Sequence, residues 1–258
     1  MSVPKKDKAR RLGLARTLSK LGYCSRSKAV KLIAAGCVRI NGRVVRNPEQ
    51  AVFTPGKVTI DGQELQSAKK IYLMVNKPRG LVTTTRDERG RATVYSLLTE
   101  YRQWLAPVGR LDKASEGLIL FTNDSAWAAR VCSPETQVEK TYHVQIETVA
   151  DDGLLGRLTA GVSSEGDMLK AKRASIVRHG SKNSWLEIVL DKGKNRHIRR
   201  MLSELGIEIL RLVRIGIGPL RLGDLPKGSV RELSGDEKRA IDRVLGGPQE
   251  FRTARKRY

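Results

Sequence analysis

Four stretches of the chain hold residues whose types and spacing could do chemistry. In Gly109-Arg110-Leu111-Asp112 a guanidinium and a carboxylate sit two positions apart on a Gly-flanked loop. An apolar run, Gly117 to Phe121, follows closely and has the length and character of a buried strand. A carboxylate on a loop anchored to such a strand is held still by the scaffold and can act as a reactive group. Taken alone, an Asp in a Gly-flanked turn is usually turn chemistry, and that reading is favoured without further support. Upstream, Asn76-Lys77-Pro78-Arg79-Gly80 closes another apolar segment with a Pro-Gly turn. Downstream, Glu139-Lys140-Thr141-Tyr142 enters a β-rich stretch. A strand Tyr most often serves as core or cross-strand packing. The fourth stretch runs from Lys192 to Met201 and opens a helix. Ile198, Met201, Leu202 and Leu205 recur at i, i+3, i+4 and i+7 and form its core face. Arg196, Arg199 and Arg200 line the adjoining face. Arg199 lies beside the apolar stripe, at the edge of the core, where a guanidinium needs a partner carboxylate. Arg200 reads as a solvated charge.

The elements that must position these residues can be read coarsely. Strands are expected at 71–75, 81–85, 117–121, 141–146, 171–177, 186–190 and 208–215, and helices at 94–101, 125–131, 152–158, 195–205 and 236–244. The strands are too many and too close for a βαβ repeat, so residues 70–245 are expected to form an α+β domain on a large, mostly antiparallel sheet. A smaller domain is expected over residues 13–66. There Leu14, Leu18 and Leu21 make one helix face, Gly22 ends that helix and Ser25 caps a second, which Gly36 ends. Asn41-Gly42 and Asp61-Gly62 signal two hairpins. The ends, residues 1–12 and 246–258, read as basic disordered segments.

Composition narrows the function classes. Of 258 residues, 49 are Lys or Arg and 27 Asp or Glu, a net charge of +22 that points to a polyanionic partner. No apolar stretch approaches the roughly 20 residues that span a bilayer, so no membrane association is expected. Cys24, Cys37 and Cys132, with His143, His179 and His197, show no metal-ligand spacing, which argues against a metal and for a reducing, cytoplasmic setting. No glycine-rich phosphate loop occurs, so no nucleotide cofactor is expected. In the small domain Arg16, Lys20, Arg26, Lys28 and Lys31 on the helices precede Arg39, Arg43 and Arg46 on the strand side. Together they make a phosphate-facing stripe with no comparable acidic set among them.

The small domain's pattern, Leu18, Lys20, Gly22, Ser25, Arg26 and Ala29 followed by Gly36, Val38, Ile40, Asn41 and Gly42, resembles the α-L RNA-binding domain. That resemblance implies RNA contacts from Arg16, Lys20, Ser25, Arg26, Lys28, Lys31, Arg39, Asn41 and Arg43. The larger region resembles the RsuA/RluB/RluF branch of rRNA pseudouridine synthases through the G-R-L-D segment, the N-K-P-x-G segment, the Lys-Thr-Tyr strand and the segment Gly193 to Met201. The resemblance spans roughly residues 14 to 235 and departs from the family at His197, where Gln is usual. It implies that Asp112 is the catalytic nucleophile, that Tyr142 stacks on the target uracil with its hydroxyl near the proton transfer, and that Arg199 pairs with Asp112. Arg110, Arg196 and Lys77 are the implied substrate contacts. The implied reaction isomerises a uridine of ribosomal RNA, with the large subunit favoured, by a monomer without cofactor or metal. Whether Asp112 attacks the sugar or promotes elimination stays open. A non-catalytic RNA-binding or ribosome-assembly factor on the same fold is the alternative, and the intact set of Asp112, Tyr142 and Arg199 speaks against it.

Overall fold

Apolar spacing and turn residues build the first part of the chain. The computed structural model describes residues 12–52, 57–85 and 87–246. Apart from Leu12 and Gly246, the expected basic ends lie outside the described residues. A short strand β1 (Leu12–Gly13) precedes helices α1 (Leu14–Lys20) and α2 (Arg26–Ala34). Strands β2 (Val38–Ile40), β3 (Arg43–Val44), β4 (Ala51–Val52), β5 (Val58–Ile60) and β6 (Gln63–Glu64) follow. The Ser25 hydroxyl accepts from the Lys28 amide at 3.1 Å and caps α2. Gly22 and Gly36 take the left-handed conformation that ends each helix. Asn41-Gly42 and Asp61-Gly62 are left-handed at both positions, the geometry of tight hairpins, and they set the order β3-β2-β5-β6. Leu14, Leu18, Ala29, Ile33, Val38 and Ile60 fill the core beneath.

The remaining elements are β7 (Tyr72–Lys77), β8 (Ala106–Val108), β9 (Glu116–Thr122), α3 (Ser125–Cys132), β10 (Lys140–Ile146), α4 (Asp152–Ala160), β11 (Val162–Ser164), β12 (Asp167–Leu169), β13 (Arg173–His179), β14 (Ser184–Leu190), α5 (His197–Glu204), β15 (Ile209–Ile217), β16 (Leu220–Arg221), β17 (Val230–Glu232) and α6 (Gly235–Val244). The chain forms two compact units. Among the described residues, one holds those up to Ile71 with Glu100–Ala106 and Thr122–Trp127, and the other holds the rest. In the second unit the sheet runs β13-β14-β10-β15-β9-β7-β17. Its registered pairs are antiparallel except β15 with β9, so the fold is the expected α+β class on a mostly antiparallel sheet. Helices α4 and α5 cover one face, where Leu154, Leu158, Ile198, Met201 and Leu202 pack on Val144, Ile146, Leu186 and Ile188.

Two expected elements differ. Residues 81–85 form bends with a single bridge from Val82 to Thr93 instead of a strand. There Thr83 turns its hydroxyl to the Leu111 carbonyl at 2.8 Å, so this segment braces a loop and pairs with no strand. Residues 94–101 form one 3-10 turn, Val94–Leu97, capped by Thr93, in which Ser96 bonds back to the Thr93 carbonyl and competes with helix continuation.

The parallel pair requires Gly117. Arg214 faces it in register, and a Cβ at Gly117 would lie 2.3 Å from the Arg214 carbonyl oxygen. Next to it the buried Glu116 accepts a fork from Arg211 at 2.9 and 3.0 Å and bonds Lys227 at 2.7 Å. Hydrogen bonds from Arg211, then those from Lys227, hold its carboxyl down at about 2. The folded value lies below the unfolded one, so this stabilisation is present above about pH 4.5 and is lost as pH falls toward 2. Glu116→Gln is expected to cost on the order of 2–3 kcal/mol at neutral pH. Urea melts at pH 7 and pH 3 check it: the gap between wild type and variant should narrow to less than half at the lower pH.

Candidate active site

Sheet register brings the candidate site residues together. Tyr142 on β10 faces Arg214 on β15, and Arg214 faces Gly117 at the start of β9. The Asp112 loop therefore enters the sheet two strands from Tyr142. Asp112, Arg110, Ser115, Tyr142, Arg196 and Arg199 line one cleft with an internal volume of about 90 Å³, and Leu190, Ile198 and Leu212 supply its apolar wall. Apolar walls with a few convergent polar groups are the composition of a ligand-binding cleft.

The loop carrying Asp112 is held from beneath by its backbone. The Ser115 amide bonds the Asp112 carbonyl at 3.0 Å, and the Gly80 amide bonds the Lys113 carbonyl at 2.8 Å. Lys77 has no solvent exposure. Its ammonium donates to the carbonyls of Pro78 at 3.1 Å, Asp112 at 3.1 Å and Ser115 at 2.7 Å. Lys77 was expected as a substrate contact, and the structure corrects this: the amine is spent on main chain under the loop. Burial pushes it down to about 8, while Glu116 and Asp112 oppose that shift. The N-K-P segment thus serves as a clamp under the Asp112 loop.

Two guanidiniums face the carboxylate. Arg199 Nε and Arg196 Nη1 each lie 3.8 Å from the same Asp112 oxygen. Arg199 is largely buried and also donates to the Ala114 carbonyl at 3.1 Å and the Ser115 hydroxyl at 3.3 Å, so it ties α5 to the loop. Burial and then the neighbouring Arg196 lower its proton affinity, and Asp112 opposes them. Arg196 is more exposed and sits at the N-cap of α5 in the left-handed conformation, at φ 47°. A non-Gly residue held there is strained, as occurs at functional sites. Arg110 is exposed at the rim.

Arg200 departs from its expected place in solvent. It is only 14% exposed, and it bonds the Ser164 carbonyl at 2.5 Å and pairs with Asp167 at 3.1 Å. Lys194 reaches the same Asp167 at 2.6 Å. The β11–β12 hairpin is thereby fastened to α5 and to the loop before it. His197 is turned inward and buried, and burial lowers its proton affinity. Arg214, which the sequence reading passed over, is 5% exposed and bonds the Leu118 carbonyl at 2.7 Å. In the first unit Arg16, Lys20, Arg26, Lys28, Lys31, Arg39 and Arg43 are exposed. Arg26 shares its charge with Glu49 at 3.3 Å. Ser25 is spent on its helix cap, and the Asn41 carboxamide accepts from the Lys57 amide at 2.9 Å. Both therefore shape the basic surface rather than offering free groups to it.

Comparison with known proteins defines the class. A family model described as RNA pseudouridylate synthase matches residues 71–204, and the S4 domain model matches residues 12–52. The chain belongs to the RNA pseudouridylate synthase family and is an isomerase. Its S4 domain and its relatives put it in the RsuA/RluB-type branch. It is 36% identical over 236 residues to an uncharacterized RNA pseudouridine synthase of Aquifex aeolicus, covering 89% of this chain and 93% of that one. It is 30% identical over 230 residues to the ribosomal large subunit pseudouridine synthase B of Bacillus subtilis, covering 88% and 94%. A crystal structure of a pseudouridylate synthase superposes with a TM-score of 0.62 at 27% identity, covering 89% of this chain and 99% of that one. Among the described residues, no helix is long and apolar enough to cross a membrane.

Proposed function

We propose that the protein converts one uridine of large-subunit ribosomal RNA to pseudouridine, with Asp112 as the nucleophile. The observation that carries the roles is the meeting of Asp112, Tyr142 and Arg199 in one apolar-walled cleft. The substrate is inferred from relatives named for the ribosomal large subunit.

The reaction breaks the bond between N1 of uracil and the sugar's anomeric carbon, turns the base and joins its C5 to that carbon. A proton leaves C5 and one is gained at N1, so no oxidant, water or energy source is consumed. A carboxylate aimed at the sugar, a ring beneath the base and a nearby guanidinium suffice, whether the carboxylate attacks the sugar or promotes elimination. Tyr142 offers the stacking face, and its hydroxyl is the group available near the proton transfer. Arg199 fixes the Asp112 loop against α5. Arg110 and Arg196, exposed at the rim, are placed to hold the backbone of the extruded nucleotide. Extrusion costs a few kcal/mol. Phosphate contacts from the basic S4 unit and the rim offset it. The protein acts as a monomer in the cytoplasm, where ribosomal RNA is made.

Pseudouridine mapping of ribosomal RNA from a deletion strain against wild type tests this reading. One large-subunit uridine should lose its modification and regain it when the gene is restored. An unchanged map would remove ribosomal RNA as the substrate.

A further inference from the structure

The sheet of the second unit has a face opposite the cleft. Strand alternation places Leu186, Ile188 and Leu190 in the core beneath α4 and α5, so Trp185 and Glu187 point the other way. His143 and Gln145 of β10 pair with Glu187 and Trp185 and share that face, as does Arg211 of β15 opposite Gln145. These side chains are partly exposed, and no helix of the core cluster lies on them.

On this face the Arg178 guanidinium lies over the Trp185 ring at 5.4 Å and the Arg211 guanidinium at 5.8 Å. The two cations differ. Arg211 is locked by its fork to Glu116, which Lys227 also holds. Arg178 is exposed on β13, the edge strand, and no carboxylate lies within ion-pair distance of it among the described residues. Lys182, exposed in the turn to β14, is likewise without one. The Trp185 ring thus lies against one anchored guanidinium, Arg211, and one that carries an uncompensated charge, Arg178, so part of the surface is already ordered before anything binds.

We propose that this face is a second RNA-binding surface. An unpaired nucleotide stacks on the Arg178–Trp185 ladder, and its phosphates meet Arg178 and Lys182. Single-stranded RNA is the occupant because bases stack on aromatic rings and on guanidinium planes alike. Arg178 and Lys182 add two cations to the face against one carboxylate, Glu187 beside His143 at 3.5 Å, in a chain whose net charge is +22. Since Arg178 lies on the edge strand, RNA leaving the cleft face can pass round that edge without crossing the sheet. The inference rests on the reading that the protein acts on RNA, and it adds a contact remote from the reacting atoms.

The test uses the full-length protein, with Arg178→Ala, Arg178→Lys and Trp185→Leu as variants. Each is titrated at several salt concentrations with oligouridylate and with a large-subunit RNA transcript, and turnover on the transcript is measured alongside. Arg178→Ala should weaken oligouridylate binding about 10-fold and lower the log–log salt slope by about 0.7–0.9, the amount for one lost phosphate contact. Arg178→Lys keeps the charge and should restore the slope but not the full affinity. On the transcript KM should rise with kcat unchanged, the pattern of lost uniform binding. Unchanged affinity and slope in both Arg178→Ala and Trp185→Leu would overturn the proposal. So would normal RNA binding combined with lost affinity for a polyglutamate probe, which would give the face to an acidic protein. If wild type bound RNA through Arg178 yet made no pseudouridine, the catalytic reading would fail while this surface stood.

Discussion

Asp112→Asn is expected to stop pseudouridine formation while leaving RNA affinity nearly unchanged. The carboxamide has the same shape and keeps the loop's main-chain bonds, because Lys77, Gly80 and Ser115 hold the backbone and not the carboxylate. What it loses is the anionic oxygen that Arg196 and Arg199 both face at 3.8 Å. Losing a nucleophile lowers turnover by roughly 10⁴-fold or more in enzymes where it has been removed. One charge among the many that make up the net +22 has little effect on a polyanion held at many points. Single-turnover assays on a transcript, beside filter-binding titrations, separate the two quantities. Turnover within a few-fold of wild type would take the nucleophile's role away from Asp112.

Much of this site is legible in the sequence because its positioning is local. The run Gly117 to Phe121 announces a buried strand, and β9 covers it. The i, i+3, i+4 spacing of Ile198, Met201 and Leu202 fixes which side of α5 is buried, and that side alone brings Arg199 to the core's edge. Asn-Gly and Asp-Gly turns are specified by two residues each. What stays hidden depends on partners distant in sequence. Lys77 looks like any surface lysine, since full burial of this residue type is rare. Its acceptors at Asp112 and Ser115 come from a loop more than thirty residues away. Arg200 looks solvated until the β11–β12 hairpin folds over it. Residues 81–85 have strand composition but spend Thr83 on the Leu111 carbonyl. Trp185 falls just outside the strand expected at 186–190, and only the register of β14 places it on the far face beside Arg178 and Arg211.

Lys77 gives the second large effect, with an unusual pH signature. Lys77→Met fills similar volume but leaves the Pro78 and Ser115 carbonyls without their donor and the Asp112 carbonyl with the Ser115 amide alone. At about 1–3 kcal/mol for each unsatisfied buried group, the loss is on the order of several kcal/mol, a large fraction of a domain's stability. In wild type the ammonium titrates at about 8 in the fold and at 10.5 in the unfolded chain. Below pH 8 both states hold the proton, and the cost of burying the charge is fully present. Between 8 and 10.5 the unfolded chain binds more protons, so this group's contribution to stability rises with pH. The loop responds in the opposite sense, because a neutral amine has two N–H groups for three carbonyls. Turnover should therefore fall as pH passes about 8, with no matching fall in melting temperature from this group. Rates and melts measured across that range, in wild type and in whatever Lys77→Met protein folds at low temperature, check the pairing. A rate that falls only in step with melting would reduce Lys77 to a packing role. A rate step near pH 8 that persists in the Met variant would assign the titration to another group.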